Sequence, residues 1–120
     1  MSRSFLGRPA GTTKQSLSET RRRLLELIQW VGFGRIENLR VGAGEPILDP
    51  PPVIVREHKF GGDNGPHPKL QAHDFLLKEQ VIDLFQQLDA VGDGTIAVLD
   101  VRHGLPFRMF LAGRPPRLAR

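Results

Sequence analysis

Cysteine is missing from this 120-residue chain, and so is tyrosine. Without a thiol there is no disulfide framework, no cysteine nucleophile and no cysteine-based zinc or iron–sulfur site. The same absence suits a reducing compartment, and the cytoplasm is the expected location. No uninterrupted apolar run reaches the roughly 18 residues that read as a membrane-spanning helix. The first stretch, "MSRSFLGRPAGTTKQ", lacks the apolar core of a secretory signal. Serine is scarce where chemistry would use it. Ser2, Ser4, Ser16 and Ser18 all fall in the N-terminal arm or at a helix cap, away from the rigid setting beside a base that a nucleophile needs. With no tyrosine and no evident aromatic-studded basic strand, base stacking is not expected either.

What is present reads as a globular domain. Apolar residues make up 39% and charged residues 25% of the chain, near ordinary globular values, and the length suits one domain. The net charge of +4 is unevenly spread. Residues 1–23 carry six cations against Glu19, and residues 113–120 carry Arg114, Arg117 and Arg120 with no anion. The stretch between them is therefore mildly acidic. Three parts are expected: a flexible basic arm (1–15), one folded domain (16–112) and a proline-stiffened basic tail (113–120).

"SLSE" reads as a capping box, with Ser16 as N-cap and Glu19 three residues on. Leu17, Leu24, Leu27, Ile28 and Val31 then recur at helical spacing, which predicts a helix over about 17–31 that stops at Gly32. A second helix is expected from near Asp74 to Gly92, with Leu77, Val81, Leu84 and Leu88 as its stripe. "RIENLRV", "EPIL", "VIVREHKF", "TIAVLDV" and "LPFRMFLA" read as strands, the last two forming a hairpin around "RHG". "DPPP" (Asp49–Pro52) is a stiff corner, since proline cannot donate to a ladder.

Shifting the sequence by 60 positions aligns it with itself. Leu24 meets Leu84, Gly32 meets Gly92, Gly34 meets Gly94, Ile36 meets Ile96, Leu39 meets Leu99, Val41 meets Val101, Gly44 meets Gly104 and Pro46 meets Pro106. This predicts an internal duplication of a helix–strand–turn–strand unit, one copy in about 16–60 and the other in about 74–112. The expected fold is α+β: two αββ units, a mainly antiparallel sheet, and both helices on one face. In each copy the first glycine ends the helix, the second lets the chain swing into the strand, and the third takes a positive φ in the turn. Ile36 and Leu39 are three apart, so a bulge near Glu37–Asn38 or a strand buried on both faces is expected.

On Phe33, Gly34, Ile36 and Gly44, the stretch 24–60 resembles a small uncharacterised bacterial helix-plus-β-hairpin domain family. The resemblance implies a bacterial source and no activity.

Candidate chemistry is sparse. Gly32 and Gly34 follow a helix, whereas a phosphate-binding loop places its glycines ahead of one. The four histidines are His58, His67, His73 and His103, with no i, i+4 pair among them. His67, His73 and Asp74 share the 61–74 loop with Asp63, a conceivable metal site that turn and cap roles explain more simply. His103 reads as the first residue of a tight turn, because its counterpart is Ala43. No catalytic residue, metal ligand or cofactor is expected. The best binding candidates are the basic ends: Arg3, Arg8, Lys14, Arg21, Arg22, Arg23, Arg114, Arg117 and Arg120. The expectation is a small non-catalytic module that associates with nucleic acid through these ends. The alternatives are an adaptor docking on an acidic protein partner, or a metal-dependent enzyme using the 61–74 loop.

Overall fold

In the computed structural model, residues 13–62 and 78–113 are described. Helix α1 (Glu19–Val31) begins where a hydroxyl meets its free N–H groups: extended Ser18 accepts a hydrogen bond from the Arg21 N–H at 3.2 Å. The cap is thus Ser18 and not Ser16. Ser16 ends a short 3-10 turn (Lys14–Ser16), where its hydroxyl donates to the Thr13 carbonyl. The choice between the two serines is made at long range, because the Ser18 hydroxyl also reaches Glu45 Oε1 at 2.7 Å. Leu24, Leu25, Ile28 and Val31 form the buried stripe, and Gly32 (φ 71) stops the helix with its N–H on the Ile28 carbonyl. Helix α2 (Glu79–Val91) repeats this ending at Gly92 (φ 70), bonded to the Leu88 carbonyl. It starts later than expected, with Lys78 at the N-cap and no side chain capping it. Asp74 lies outside the described residues.

Each helix leads into a nine-residue strand, β1 (Gly34–Gly42) after α1 and β4 (Gly94–Arg102) after α2. Strand β2 (Glu45–Ile47) folds back on β1, and β5 (Leu105–Ala112) folds back on β4. β3 (Val53–Arg56) is shorter than the "VIVREHKF" run and pairs with the Gly34–Glu37 end of β1, beyond β2. All pairings are antiparallel, and the order across the sheet is β2–β1–β4–β5 with β3 beside β2 on the β1 edge. The expected α+β fold is therefore the fold observed.

Ile36, Leu39 and Val41 on β1, and Ile96, Leu99 and Val101 on β4, are buried against Leu24, Leu25, Ile28, Leu84, Phe85 and Leu88 of the two helices. Each such side chain contributes roughly 1.5–3 kcal/mol by leaving water. The three-residue spacing of Ile36 and Leu39 is resolved at Asn38, which takes the left-handed conformation (φ 59) so that both neighbours face the core. Opposite it, the β4–β5 register shifts between Ile96 and Val98.

The central β1–β4 register runs from Gly34 opposite Val101 to Val41 opposite Gly94, so it is unchanged when positions 60 apart are exchanged. The turns obey the same exchange. Ala43–Gly44 and His103–Gly104 are both left-handed, as a two-residue hairpin turn with inverted geometry requires. The Gly44 N–H donates to the Gly92 carbonyl at 2.8 Å, and the Gly104 N–H to the Gly32 carbonyl at 2.9 Å. Each hairpin is thus fastened to the helix end of the other half. The middle glycines break the correspondence. Gly34 has φ 151 and lies hard against the Val55 backbone, whereas Gly94 has an ordinary φ and open surroundings apart from Val91. Among the described residues, the freedom expected of both glycines is needed only at Gly34, where β3 packs over it.

Candidate functional site

The sheet face away from the helices carries charge in rows. The register sets Val55, Arg35, Asp100 and Arg108 side by side across four strands, and Val53, Glu37, Val98 and Phe110 in the next row. These side chains alternate with the buried ones along each strand, so the pleat itself assigns them to the open face. The arginines are held by carboxylates: Arg35 Nε to Glu37 Oε2 at 2.6 Å, and Arg108 Nε to Asp100 Oδ2 at 2.7 Å. The Glu37 hydrogen bond and charge hold the Arg35 proton more firmly than usual, with Asp100 adding to the effect. Phe33, Arg35, Val55, Glu57, Asp100, Arg102 and Arg108 border a shallow depression of about 440 Å³.

Rings adjoin this face along the outer strand. The Arg102 guanidinium sits 4.2 Å from the Phe107 ring centre, and Arg108 lies 5.6 Å from Phe107 and 5.4 Å from Phe110. Phe107, Phe110 and Leu111 are each about half exposed (52%, 50% and 55%). The result is an alternating array of guanidinium and aryl groups on β5 and the adjoining end of β4. A β5 bulge opposite Val101 brings Phe107 into it. No aromatic-studded basic strand was expected, and β5 itself carries one cation, Arg108; the array forms because Arg102 joins it from β4. Its signal is "RHGLPFRMF", but the stack closes only when the hairpin folds Arg102 back beside Phe107.

Of the binding residues expected from the sequence, Arg3, Arg8, Arg114, Arg117 and Arg120 lie outside the described residues. Lys14 opens the 3-10 turn. Arg21 does not point to solvent. Its Nη2 donates to the Gly44 carbonyl (2.8 Å) and to Asp89 Oδ1 (2.5 Å), and its guanidinium faces the Phe85 ring at 5.3 Å. It ties α1, the β1–β2 turn and α2 together. Arg22 is half-buried and Arg23 exposed, so the three arginines do not act as one patch. Glu45 joins the Arg21 cluster. Burial opposes its charge, but hydrogen bonds from Thr20 and Ser18 and the Arg21 charge outweigh that and keep its carboxyl below the ordinary value.

His103 occupies its turn with Phe33 edge-on at 4.8 Å, and His58 packs on Phe60. His67, His73, Asp63 and Asp74 lie outside the described residues. Among the described residues no three His, Asp or Glu side chains come together as a metal site, and no helix is long and apolar enough to cross a membrane.

What the fold and face define is an antiparallel α+β domain with a charged, partly aromatic open surface. No family model and no solved structure matches the chain. It is similar to a ribonuclease H of Anaeromyxobacter dehalogenans (strain 2CP-C), with 26% identity over 110 residues. That alignment takes in 92% of this chain and 60% of the relative, so the chain spans less than two thirds of the protein it matches. The relative is a named enzyme, and on that finding the expectation of a non-catalytic binding module or adaptor is corrected. Of the ion pairs on the open face, Arg35–Glu37 lies within one strand and Arg108–Asp100 joins two.

Proposed function

We propose that this chain serves nucleic-acid hydrolysis, as a nuclease or the substrate-facing portion of one, in the cytoplasm. The observation that carries this reading is the likeness to a ribonuclease H along 92% of the chain. The open face supports it: Arg35, Arg102 and Arg108 provide guanidinium groups for phosphate, and fixed cations aimed at a phosphodiester stabilise charge that develops there. The carboxylates of that face, Glu37 and Asp100, hold the arginines in place. Metal-assisted phosphodiester cleavage needs clustered carboxylates, and the described residues do not provide such a cluster, so no metal-dependent step is assigned to them.

The test is cleavage of labelled RNA, DNA and RNA–DNA hybrid of one sequence by the full chain, with magnesium or manganese and with chelator. Cleavage of an RNA-containing substrate above a protein-free control, reduced in Arg35→Ala or Arg108→Ala, supports the reading. No cleavage and no binding of any of the three overturns it.

A further inference from the structure

We propose that the β5 edge, with its stack of Arg102, Phe107, Arg108 and Phe110, receives an unpaired nucleic-acid strand. Bases would lie on the ring surface that the guanidinium groups leave exposed, and phosphates on the guanidinium edges. The inference rests on the nucleic-acid reading above and names the form of substrate that the surface accepts.

Three observations lead to it. First, Phe107 and Phe110 are half exposed on the last strand of the sheet, and no strand pairs with the outer side of β5 among the described residues. The opposite edge is built differently: there the chain between β2 and β3 passes through Pro50, Pro51 and Pro52, which cannot donate to a ladder. Second, the cations sit on the rings rather than among carboxylates alone. Arg102 covers one ring, and Arg108 lies near two while Asp100 fixes its Nε. A guanidinium over a ring keeps its N–H edge free for an anion. Third, the Arg108 guanidinium lies within 5.6 Å of both ring centres, so the bulge at Phe107 brings the two rings to no more than about 11 Å from each other. That spacing fits bases splayed from a stretched strand.

The chemistry selects an unpaired strand over a duplex. A phenyl ring gains by covering the face of a base, and in a duplex those faces are already stacked on one another. A purely apolar peptide would use the rings but bring no anion to Arg102, and none to Arg108 beyond its own Asp100. A partner that brings π-faces and negative charge at regular intervals satisfies both.

The experiment measures binding of the full chain to a fluorescent 12-nucleotide RNA and DNA, each single-stranded and as duplex, at 50 and 200 mM salt. Variants are Phe107→Ala, Phe110→Ala, Phe110→Trp and Arg108→Gln, each checked for an unchanged melting transition. Single strands should bind about tenfold or more tighter than duplex. Each Phe→Ala change should weaken single-strand binding by about tenfold, and Phe110→Trp should retain it. Arg108→Gln should weaken binding and flatten its salt dependence by about one phosphate contact. Should an alanine variant fail to fold, the Phe110→Trp and Arg108→Gln pair decides the matter. If the wild type binds nucleic acid but these variants bind equally well, or duplex binds as tightly as single strand, the β5 assignment is wrong and the nucleic-acid reading stands. If the wild type binds no nucleic acid, both fail. A wild-type dimer that Phe110→Ala separates, with no effect of oligonucleotide, would instead make this edge a contact between copies of the chain and overturn the proposal.

Discussion

Replacing Gly34 by alanine tests how closely β3 is seated on β1. A Cβ built at Gly34 would lie 2.1 Å from the Val55 carbonyl oxygen and 3.0 Å from the Arg56 Cα, both backbone atoms with no rotamer to move. Restoring a 3.0 Å separation requires β3 to retreat by about 1 Å. That shift acts on a ladder of only four register pairs, Gly34–Arg56 to Glu37–Val53. The backbone adds its own penalty, because φ 151 is a conformation that a side chain disfavours. Overpacking costs about 1–3 kcal/mol and such backbone strain a comparable amount, so Gly34→Ala should lose about 3 kcal/mol or more. Gly94→Ala is the control. Its φ is ordinary, and the nearest atom is Val91 Cγ1 at 3.2 Å, a side-chain methyl that can turn aside. The reduced freedom of the unfolded chain, worth about 0.4–1 kcal/mol, offsets the remaining crowding, so Gly94→Ala should be near neutral. Urea unfolding reads both: the Gly34→Ala midpoint should fall by about 1–3 M and that of Gly94→Ala by a few tenths. Equal losses, or a Gly34→Ala cost below about 1 kcal/mol, would refute the reasoning about β3.

Ser18→Ala removes the cap of α1 and a donor to Glu45, and should cost about 1–2 kcal/mol in urea unfolding, whereas Ser16→Ala, at the exposed 3-10 turn, should cost little. The Glu45 carboxyl is held below its ordinary value, so its contribution is present above the unfolded-state value of 4.5 and is lost as pH falls through the lower folded value; Glu45→Gln should flatten the acid limb of a stability–pH curve, and an unchanged limb would contradict the assignment. A double-mutant cycle of Arg21→Met with Asp89→Asn should give a coupling of no more than about 1 kcal/mol, because the Asp89 side chain is 66% exposed and screened. Arg21→Met alone should cost more than the coupling, since it also frees the Gly44 carbonyl and the Phe85 ring.

The elements that the sequence disclosed are those governed by neighbours in sequence. Leu24 to Val31 and Val81 to Leu88 repeat at the spacing of a helix face, and Gly32 and Gly92 stop both helices for the same local reason. The strands followed from alternation, and their antiparallel pairing from the two short turns. What the sequence hid depends on contacts between distant residues. Nothing near Ser18 shows that Glu45 will anchor it, 27 positions away. Nothing near Arg21 shows that Asp89 will take its guanidinium. The difference between Gly34 and Gly94 comes from β3, which abuts Gly34 and has no counterpart at Gly94 among the described residues. The open face was illegible for the same reason: Arg35, Asp100 and Arg108 form a row only after three strands are in register.

The two halves share a sequence correspondence at 60 residues, but their differences matter more than their likeness. A sheet register and a pair of turn-to-helix hydrogen bonds that survive exchange of the halves constrain the glycines and the core in both. Outside that frame the two halves differ. The outer strand beside β1 is two short pieces, β2 and β3, with prolines between them, which blunts an edge against strand addition. The outer strand beside β4 is the unbroken β5, which carries Phe107, Arg108 and Phe110. An exposed apolar edge is a hazard unless something occupies it. Such an edge lies on one side only, beside the arginine row of the open face, so the proposed nucleic-acid contact falls on the second half and the first half braces it.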